Sequence, residues 1–213
     1  MNLVTGNVFK MDQVLYDDNN LTLETLDSYW KSVKYDKESI VLFYSHKYGP
    51  YRIFSNFYEI NHNFTIPNWC GLYGGTTVSV KFSEQSIMLC KASLFRDKKS
   101  FFKIKSSTNP HNCKLLGRNV SNFNDIVWKR HICNIAFETV YQKFNNSDTF
   151  KALLLSTNNS FIAEAAPNDI VWGIGMNEND VLIQHINLWR GSNLLGFSLM
   201  KVRNRLLLET IKR

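Results

Sequence analysis

The spacing of apolar positions along the chain predicts a mainly helical protein. The clearest helical pattern covers residues 124–144, where apolar side chains recur every three or four positions and form one stripe. The same spacing predicts helices over residues 83–95 and 194–210. Shorter helices are predicted over residues 21–33, 109–117 and 148–156.

Residues with known capping preferences indicate where these helices begin and end. Asn20 and Ser83 stand where the N-caps of two helices are expected. Asn109-Pro110 is typical of a helix start, and Gly117 of a helix stop.

Short apolar or alternating segments predict a few strands. These segments are residues 40–44, 78–82, 161–165 and 170–171. The last two flank a turn at Pro167-Asn168-Asp169, and residues 61–76, with their Asn, Pro and Gly, are predicted to be a loop. The fold class is therefore α+β, with helix in the majority.

Composition excludes some classes of protein and favours one type of partner. The chain has 213 residues, of which 44% are apolar, with 10 Gly and 4 Pro, so a disordered or collagenous chain is excluded. We expect an extension over residues 1–36 and one domain over residues 37–213. The net charge of +7 favours an anionic partner, and the 14% aromatic content leaves rings available for a ligand.

We expect neither a secretory signal nor a membrane span in this sequence. Its first residues lack a basic segment followed by an apolar one, and no apolar run approaches the roughly 18 residues of a membrane span. Four cysteines are scattered without a CxxC pair, which predicts a reduced, cytoplasmic protein with buried thiols.

Two His-x-Cys pairs suggest zinc at first sight, but their spacing argues against it. His131 and Cys133 fall within the strongest helical pattern, where residues two apart point about 200° apart. We therefore expect no metal site. GxxxxGK[ST], GxGxxG and GxSxG are also absent from the sequence, and we expect no cofactor.

Glu84 and Lys91 lie seven residues apart on a predicted helix and therefore share a face, together with Met88. An exposed acid and base beside a chance methionine is one interpretation. The other is a lysine in an apolar setting, whose lowered pKa makes its amine nucleophilic while the carboxylate moves protons.

Two segments near the C-terminus have residue types that suit a ligand. In Asp169-Ile-Val-Trp172-Gly173-Ile-Gly175 the glycines allow close approach and the tryptophan offers a stacking face, although a tight turn around a core tryptophan would look the same. Arg190 and the amides around Asn193, at the start of the last helix, suit a phosphate, and simple capping by Ser192 or Asn193 is the alternative.

A set of short motifs occurs in a fixed order between about residues 40 and 205. They are Phe54-Ser55-Asn56-Phe57-Tyr58, Ser83-Glu84-Gln85, Lys91-Ala92, Leu116-Gly117-Arg118, Trp128, Glu164-Ala165, Asp169-x-x-Trp172-Gly173, Gly191-x-Asn193-x-Leu195-Gly196 and Leu199-Met200-x-Val202-Arg203. In this order they resemble the YbiA-like, or NADAR, family. The segment of residues 59–82, which contains Trp69, looks longer than is usual in that family.

The resemblance implies a mainly helical α+β domain and an N-glycosidase that acts on ribose derivatives. Some members act on phosphoribosylated intermediates of riboflavin synthesis, and others remove ADP-ribose from guanine bases in nucleic acid. The resemblance implies catalytic roles for Glu84, Lys91 and Asp169, with a Schiff base between Lys91 and the opened sugar. The residues expected to bind the substrate are Asn56, Phe57, Arg118, Trp128, Glu164, Trp172, Gly173 and Asn193.

The favoured hypothesis is removal of ADP-ribose from a nucleic-acid base, because the positive charge suits a polyanion. Hydrolysis of a small phosphoribosyl-amine is the first alternative, and a non-catalytic module that binds ADP-ribose or nucleic acid is the second. The helix over residues 21–33 could also dock a partner. The sequence leaves the acid open among Glu84, Glu164 and Asp169.

Overall fold

The computed structural model describes residues 21–33 and 39–211, and it confirms a mixed α/β fold in which helices predominate. The α-helices are α1 (Leu23–Ser32), α2 (Ser83–Leu94), α3 (Lys98–Ser106), α4 (Pro110–Arg118), α5 (Asp125–Asn145), α6 (Asp148–Leu155) and α7 (Leu194–Ile211). The strands are β1 (Ile40–Phe43), β2 (His62–Thr65), β3 (Thr77–Val80) and β4 (Phe161–Glu164). Short 3-10 helices occupy Arg52–Phe54, Gly71–Tyr73 and Ile186–Leu188.

The chain divides into two compact units. We call residues 45–151 the central unit. The described part of the other, residues 21–33, 39–44 and 152–211, is called the terminal unit. The expected boundary at residue 37 falls outside the described residues and stays a prediction.

Helix α2 is the core of the central unit. Ten of its 12 residues are buried, because α3, α4 and α5 pack around it and cover nearly every side of the helix. Gly117 allows α4 to approach closely, because a Cβ there would lie 1.8 Å from the Met88 sulfur. The predicted helix stop at Gly117 is therefore wrong: the glycine lies inside α4, which ends one residue later.

Strands β2 and β3 form an antiparallel pair in which His62 faces Val80 and Thr65 faces Thr77. The prediction of a loop over residues 61–76 is wrong for this part. Phe64 and Ile66 are fully buried between exposed neighbours, which is the alternation of a half-buried strand. The Asn, Pro and Gly residues around them concealed it.

In the terminal unit, β1 pairs in parallel with β4, from Ile40 opposite Phe161 to Phe43 opposite Glu164. Helix α7 packs on β4 at Gly196, where a Cβ would lie 2.1 Å from the Ile162 carbonyl oxygen. Helix α1 contributes the buried Trp30, whose Nε1 donates a hydrogen bond to the Ser192 carbonyl at 2.6 Å.

The ends of the helices and one strand differ in detail from the predictions. Thr22 caps α1 through a reciprocal bond with Thr25, while the predicted cap, Asn20, lies outside the described residues. Ser83 does not cap α2: its hydroxyl is buried without a hydrogen-bond partner. Helix α3, which the sequence analysis missed, is a short lysine-rich helix with only Phe101 and Ile104 buried.

The prediction of a strand over residues 170–171 is wrong. The Asp169 carboxylate accepts hydrogen bonds from the N–H groups of Val171 and Trp172, at 3.1 and 2.9 Å. This side-chain turn takes the amides that a strand would offer to a neighbour.

Candidate active site on helix α2

One face of α2 carries Glu84, Met88 and Lys91 at the spacing that the sequence analysis predicted. Glu84 is only 5% exposed, Met88 is also buried, and Lys91 is half-buried. The Glu84 N–H donates to the Asn56 carbonyl at 2.9 Å, so the segment before β2 stands in for the missing cap. This bond places Asn56 at the same helix end as the buried carboxylate.

The Lys91 ammonium lies against aromatic rings. Its Nζ is 4.2 Å from the ring centroid of Phe123 and 5.1 Å from that of Trp128. Burial lowers the pKa of Lys91, the positive charge of Arg118 lowers it further, and the negative charge of Glu84 opposes both. A lysine in this setting holds more of its amine in the neutral, nucleophilic form than an exposed lysine does.

Phe123, which the sequence analysis did not single out, is held by a buried carboxylate. Asp97 caps α3 by accepting from the Ser100 N–H at 2.9 Å, and it also accepts from the Ser121 N–H at 2.7 Å. Burial raises the pKa of Asp97, but these hydrogen bonds outweigh it and bring the pKa to about 2. Asp97 therefore fixes the segment that presents Phe123 to Lys91.

Phe57 lies in a group of titratable side chains. Its ring centroid is 4.8 Å from that of His111 and 6.0 Å from that of His46, and Lys114 Nζ is 6.0 Å away. The segment is anchored by the buried Lys143, whose Nζ donates to the Ser55 carbonyl at 2.9 Å. Burial lowers the pKa of Lys143 to about 7.

The predicted site residues of the terminal unit form a separate local arrangement. Asp169 makes the turn that supports Trp172, and both are half-buried. Gly173 packs so closely on β4 that a Cβ would lie 2.8 Å from the Glu164 carbonyl oxygen. That carbonyl also accepts the Ile174 N–H at 2.9 Å, so this loop is fixed to the end of the strand.

Asn193 joins β4 to the start of α7. Its side chain accepts from the Glu164 N–H at 3.2 Å and donates to the Ile162 carbonyl at 2.9 Å, and it is fully buried. Its assignment to substrate binding stays a prediction, and in this structure its amide group bonds to the strand.

The start of α7 differs from the phosphate site that the sequence suggested. The amides of Asn193, Leu194 and Leu195 donate to the carbonyls of Gly173, Val171 and Trp172 at 3.0 to 3.1 Å. Arg190 forms an ion pair with Asp180 at 3.3 Å. These backbone carbonyls, and not the Ser192 or Asn193 side chains, satisfy the helix start.

The structure thus brings together Glu84, Lys91, Arg118 and Trp128 in the central unit, with Asn56 at the first turn of α2. The cation–π contact of Phe123 with Lys91 could not be read from the sequence, because the two residues are far apart along the chain. Among the described side chains, no three His, Cys, Asp or Glu residues are grouped to hold a metal ion. All four cysteines lie among the described residues, and each is buried and outside any disulfide.

Within residues 21–33 and 39–211, none of the helices combines the length and the apolar character that crossing a membrane requires.

Fold and site together define a mixed α/β protein whose central helix carries a buried carboxylate and a half-buried lysine beside aromatic rings. The model of the NADAR domain family matches residues 42–207, and the chain belongs to that family. The match begins within β1 and ends within α7, so it includes every predicted site residue.

The chain is similar to proteins from a virus, a nematode and a bacterium. The "N-glycosidase R617" of Acanthamoeba polyphaga mimivirus is 40% identical over 121 residues, which is 57% of this chain and 71% of the viral protein. "Protein irg-1" of Caenorhabditis elegans is 34% identical over 126 residues, covering 58% of this chain and 59% of the nematode protein. The NMR structure of the E. coli protein YbiA matches with a TM-score of 0.62 at 24% identity, over 84% of this chain and 90% of that one, which supports the fold.

Proposed function

We propose that this protein is an N-glycosidase that hydrolyses the bond between ribose C1 and a base nitrogen, removing ADP-ribose from guanine bases of nucleic acid. The observation that carries the proposal is that the buried Glu84 and Lys91 share one face of α2. The pKa of Lys91 is lowered by burial and by the positive charge of Arg118. The similarity to a viral protein named as an N-glycosidase supports the reaction class.

In the proposed reaction, the neutral Lys91 amine attacks ribose C1. The C1–N bond breaks, its electron pair passes to the base nitrogen, and a carboxylic acid supplies that nitrogen with a proton. Glu84 is the candidate acid on the same helix face, and Asp169 is the alternative. The amine nitrogen loses two protons: one returns to the carboxylate that protonated the base, and the other passes to the ring oxygen as it leaves C1. An imine between Lys91 and the opened sugar results.

Water completes the cycle. It adds to the imine carbon, the C–N bond to Lys91 breaks, and the sugar is released as an aldehyde that closes its ring again. One difficult displacement is thereby divided into two easier steps. The rings of Phe123 and Trp128 shield the amine from bulk water, and the exposed Arg118 is available to a phosphate of the substrate.

Trapping with borohydride tests the covalent step. Wild-type protein is incubated with an oligonucleotide ADP-ribosylated on guanine, and borohydride reduces the imine to a stable amine. We expect a mass increase on the peptide that contains Lys91. Lys91→Ala should lose the adduct and at least a thousandfold of turnover, whereas Lys103→Ala, which removes an exposed lysine of α3, should retain both.

The substrates used in the assay separate the alternatives. Turnover of a phosphoribosyl-amine with none of the oligonucleotide would support the small-molecule N-glycosidase instead. Binding of ADP-ribose without turnover of any substrate would support the non-catalytic module. Full activity of a correctly folded Lys91→Ala variant would refute the role of Lys91.

A further inference from the structure

The structure carries a row of rings that begins at Lys91 and extends to Trp69, and we call Phe123, Trp128, His131 and Trp69 the aromatic strip. We propose that the aromatic strip is a stacking track for unpaired bases that flank the modified nucleotide. This inference rests on the proposed function and assigns a single-stranded nucleic acid as the form of the substrate.

Contacts join the strip at its two ends, and helical spacing along α5 relates Trp128 to His131. Phe123 and Trp128 both lie against the Lys91 ammonium, at 4.2 and 5.1 Å. His131 is three residues beyond Trp128 on α5, so the two side chains are neighbours on one helix face, about 4.5 Å apart along the axis. Trp69 stacks on His131 with ring centroids 5.4 Å apart and planes inclined by 16°.

The rings at both ends of the strip are exposed. Phe123 is 44% exposed and Trp69 is 43% exposed, whereas Phe54, Phe64 and Phe144 of the same unit are fully buried. Filling the core therefore does not explain the two end rings. Burial and the charge of Arg130 lower the pKa of His131, and both causes favour the uncharged form of its ring.

Trp69 is held in place before any ligand binds. The Cys70 N–H donates to the Pro67 carbonyl at 2.8 Å, which closes a turn around Trp69. The next residues are fixed to α2, because the Ser93 hydroxyl donates to the Cys70 carbonyl and accepts the Tyr73 N–H. A ring fixed in this way loses little conformational freedom when a base stacks on it.

The charge beside the strip suits a phosphate backbone. The exposed Arg130 lies next to His131 on α5, in a chain whose net charge is +7, while the neighbouring Lys129 forms an ion pair with Asp125 at 2.8 Å. Aromatic platforms next to cations are the usual means of binding single strands, because every base has a face that can stack. An unpaired strand also frees the modified base to reach Lys91, which a base inside a duplex cannot do without leaving the stack.

The test compares two substrates that carry ADP-ribosylated guanine: a single-stranded oligonucleotide of eight nucleotides and a mononucleotide. Trp69→Ala should lower kcat/KM about tenfold on the oligonucleotide, the size of one lost base–aromatic stack, and leave the mononucleotide unchanged. Trp69→Phe should retain most of the oligonucleotide activity. Phe102→Ala, which removes a ring that is 49% exposed on α3, is the matched control and should change neither value.

A binding measurement keeps this inference separable from the proposed reaction. The affinity for the same oligonucleotide without ADP-ribose is measured for wild type, Trp69→Ala and His131→Ala, after circular dichroism has shown that each is folded. Weaker binding by both variants, with Phe102→Ala unaffected, would support the track. Unchanged binding and an unchanged ratio of the two kcat/KM values would overturn the stacking track and leave the strip as a structural or protein-docking surface. Failure of the wild-type protein to turn over either substrate would instead refute the proposed reaction.

Discussion

At the residue scale, two charged neighbours act on Lys91 in opposite directions. Arg118 lowers its pKa and Glu84 raises it. Because only the neutral amine attacks, activity should rise with pH as Lys91 loses its proton. Arg118→Gln should therefore raise the Lys91 pKa and move the acidic limb of the kcat/KM profile to higher pH.

Glu84→Gln should move the same limb to lower pH, because the charge that stabilises the ammonium is gone, and it should also slow the reaction if Glu84 is the acid. The measurement is the pH dependence of kcat/KM on the mononucleotide substrate. Arg96→Gln removes an exposed charge after α2 and should leave the limb in place. Shifts of the same sign in the two site variants would contradict the opposing influence of Arg118 and Glu84.

The residue scale also shows why the sequence could reveal only part of the site. Glu84 and Lys91 could be placed together because helical spacing alone puts them on one face. Phe123 is 32 residues from Lys91 along the chain, and it reaches the lysine through a segment that Asp97 fixes. Neither the capping bond nor that contact has a local signature, so no periodic pattern could predict them.

At the scale of elements, α1 is part of a hydrophobic core. The Trp30 ring contacts Phe161, Trp189 and Phe197 with centroids 5.1 to 6.2 Å apart. Trp30→Ala should therefore lower the free energy of unfolding by about 3–5 kcal/mol, measured by urea denaturation. Lys31→Ala, which truncates an exposed residue of the same helix, should change it by less than about 0.5 kcal/mol.

This prediction bears on the hypothesis that the helix over residues 21–33 docks a partner. A buried ring whose Nε1 also donates to Ser192 is not available to another protein. Near-native stability of Trp30→Ala would contradict a structural role for α1 and return the docking interpretation.

The sequence predicted the helices that have a clear capping residue or a clear apolar stripe. Asn109-Pro110 predicted the start of α4, and Asn109 is its N-cap. The apolar stripe over residues 124–144 predicted α5, which Asn124 caps. Strand β2 buries only Phe64, in a segment rich in turn residues, and helix α3 buries only Phe101 and Ile104, in a segment rich in lysines. Both were missed for this reason. Their conformation is stabilised by packing around α2, which propensity does not contain.

At the scale of the whole molecule, the family match and the compact units have different limits. The match begins at residue 42, whereas the terminal unit also contains α1, from residues that precede the match. Residues outside the family range therefore contribute to the core of a unit that carries predicted site residues. Variation in this region can change stability without changing the motifs that define the family.

The net charge of +7 gives the last prediction, which concerns the substrate as a polyanion. Binding of a single strand releases counterions, so log K falls with log salt with a slope of about −0.7 per phosphate contact. Three such contacts would lower kcat/KM on the oligonucleotide by roughly tenfold to twentyfold between 50 and 200 mM salt, if binding limits the reaction. The ADP-ribosylated mononucleotide lacks the flanking phosphates, and its kcat/KM should fall much less.

Neutralising Arg130 with Gln should reduce the salt dependence for the oligonucleotide by about one phosphate contact, because this exposed cation adjoins His131 of the aromatic strip. Equal salt dependence for both substrates would show that only the ADP-ribosyl group carries the electrostatic attraction, and it would favour the small phosphoribosyl substrate over nucleic acid.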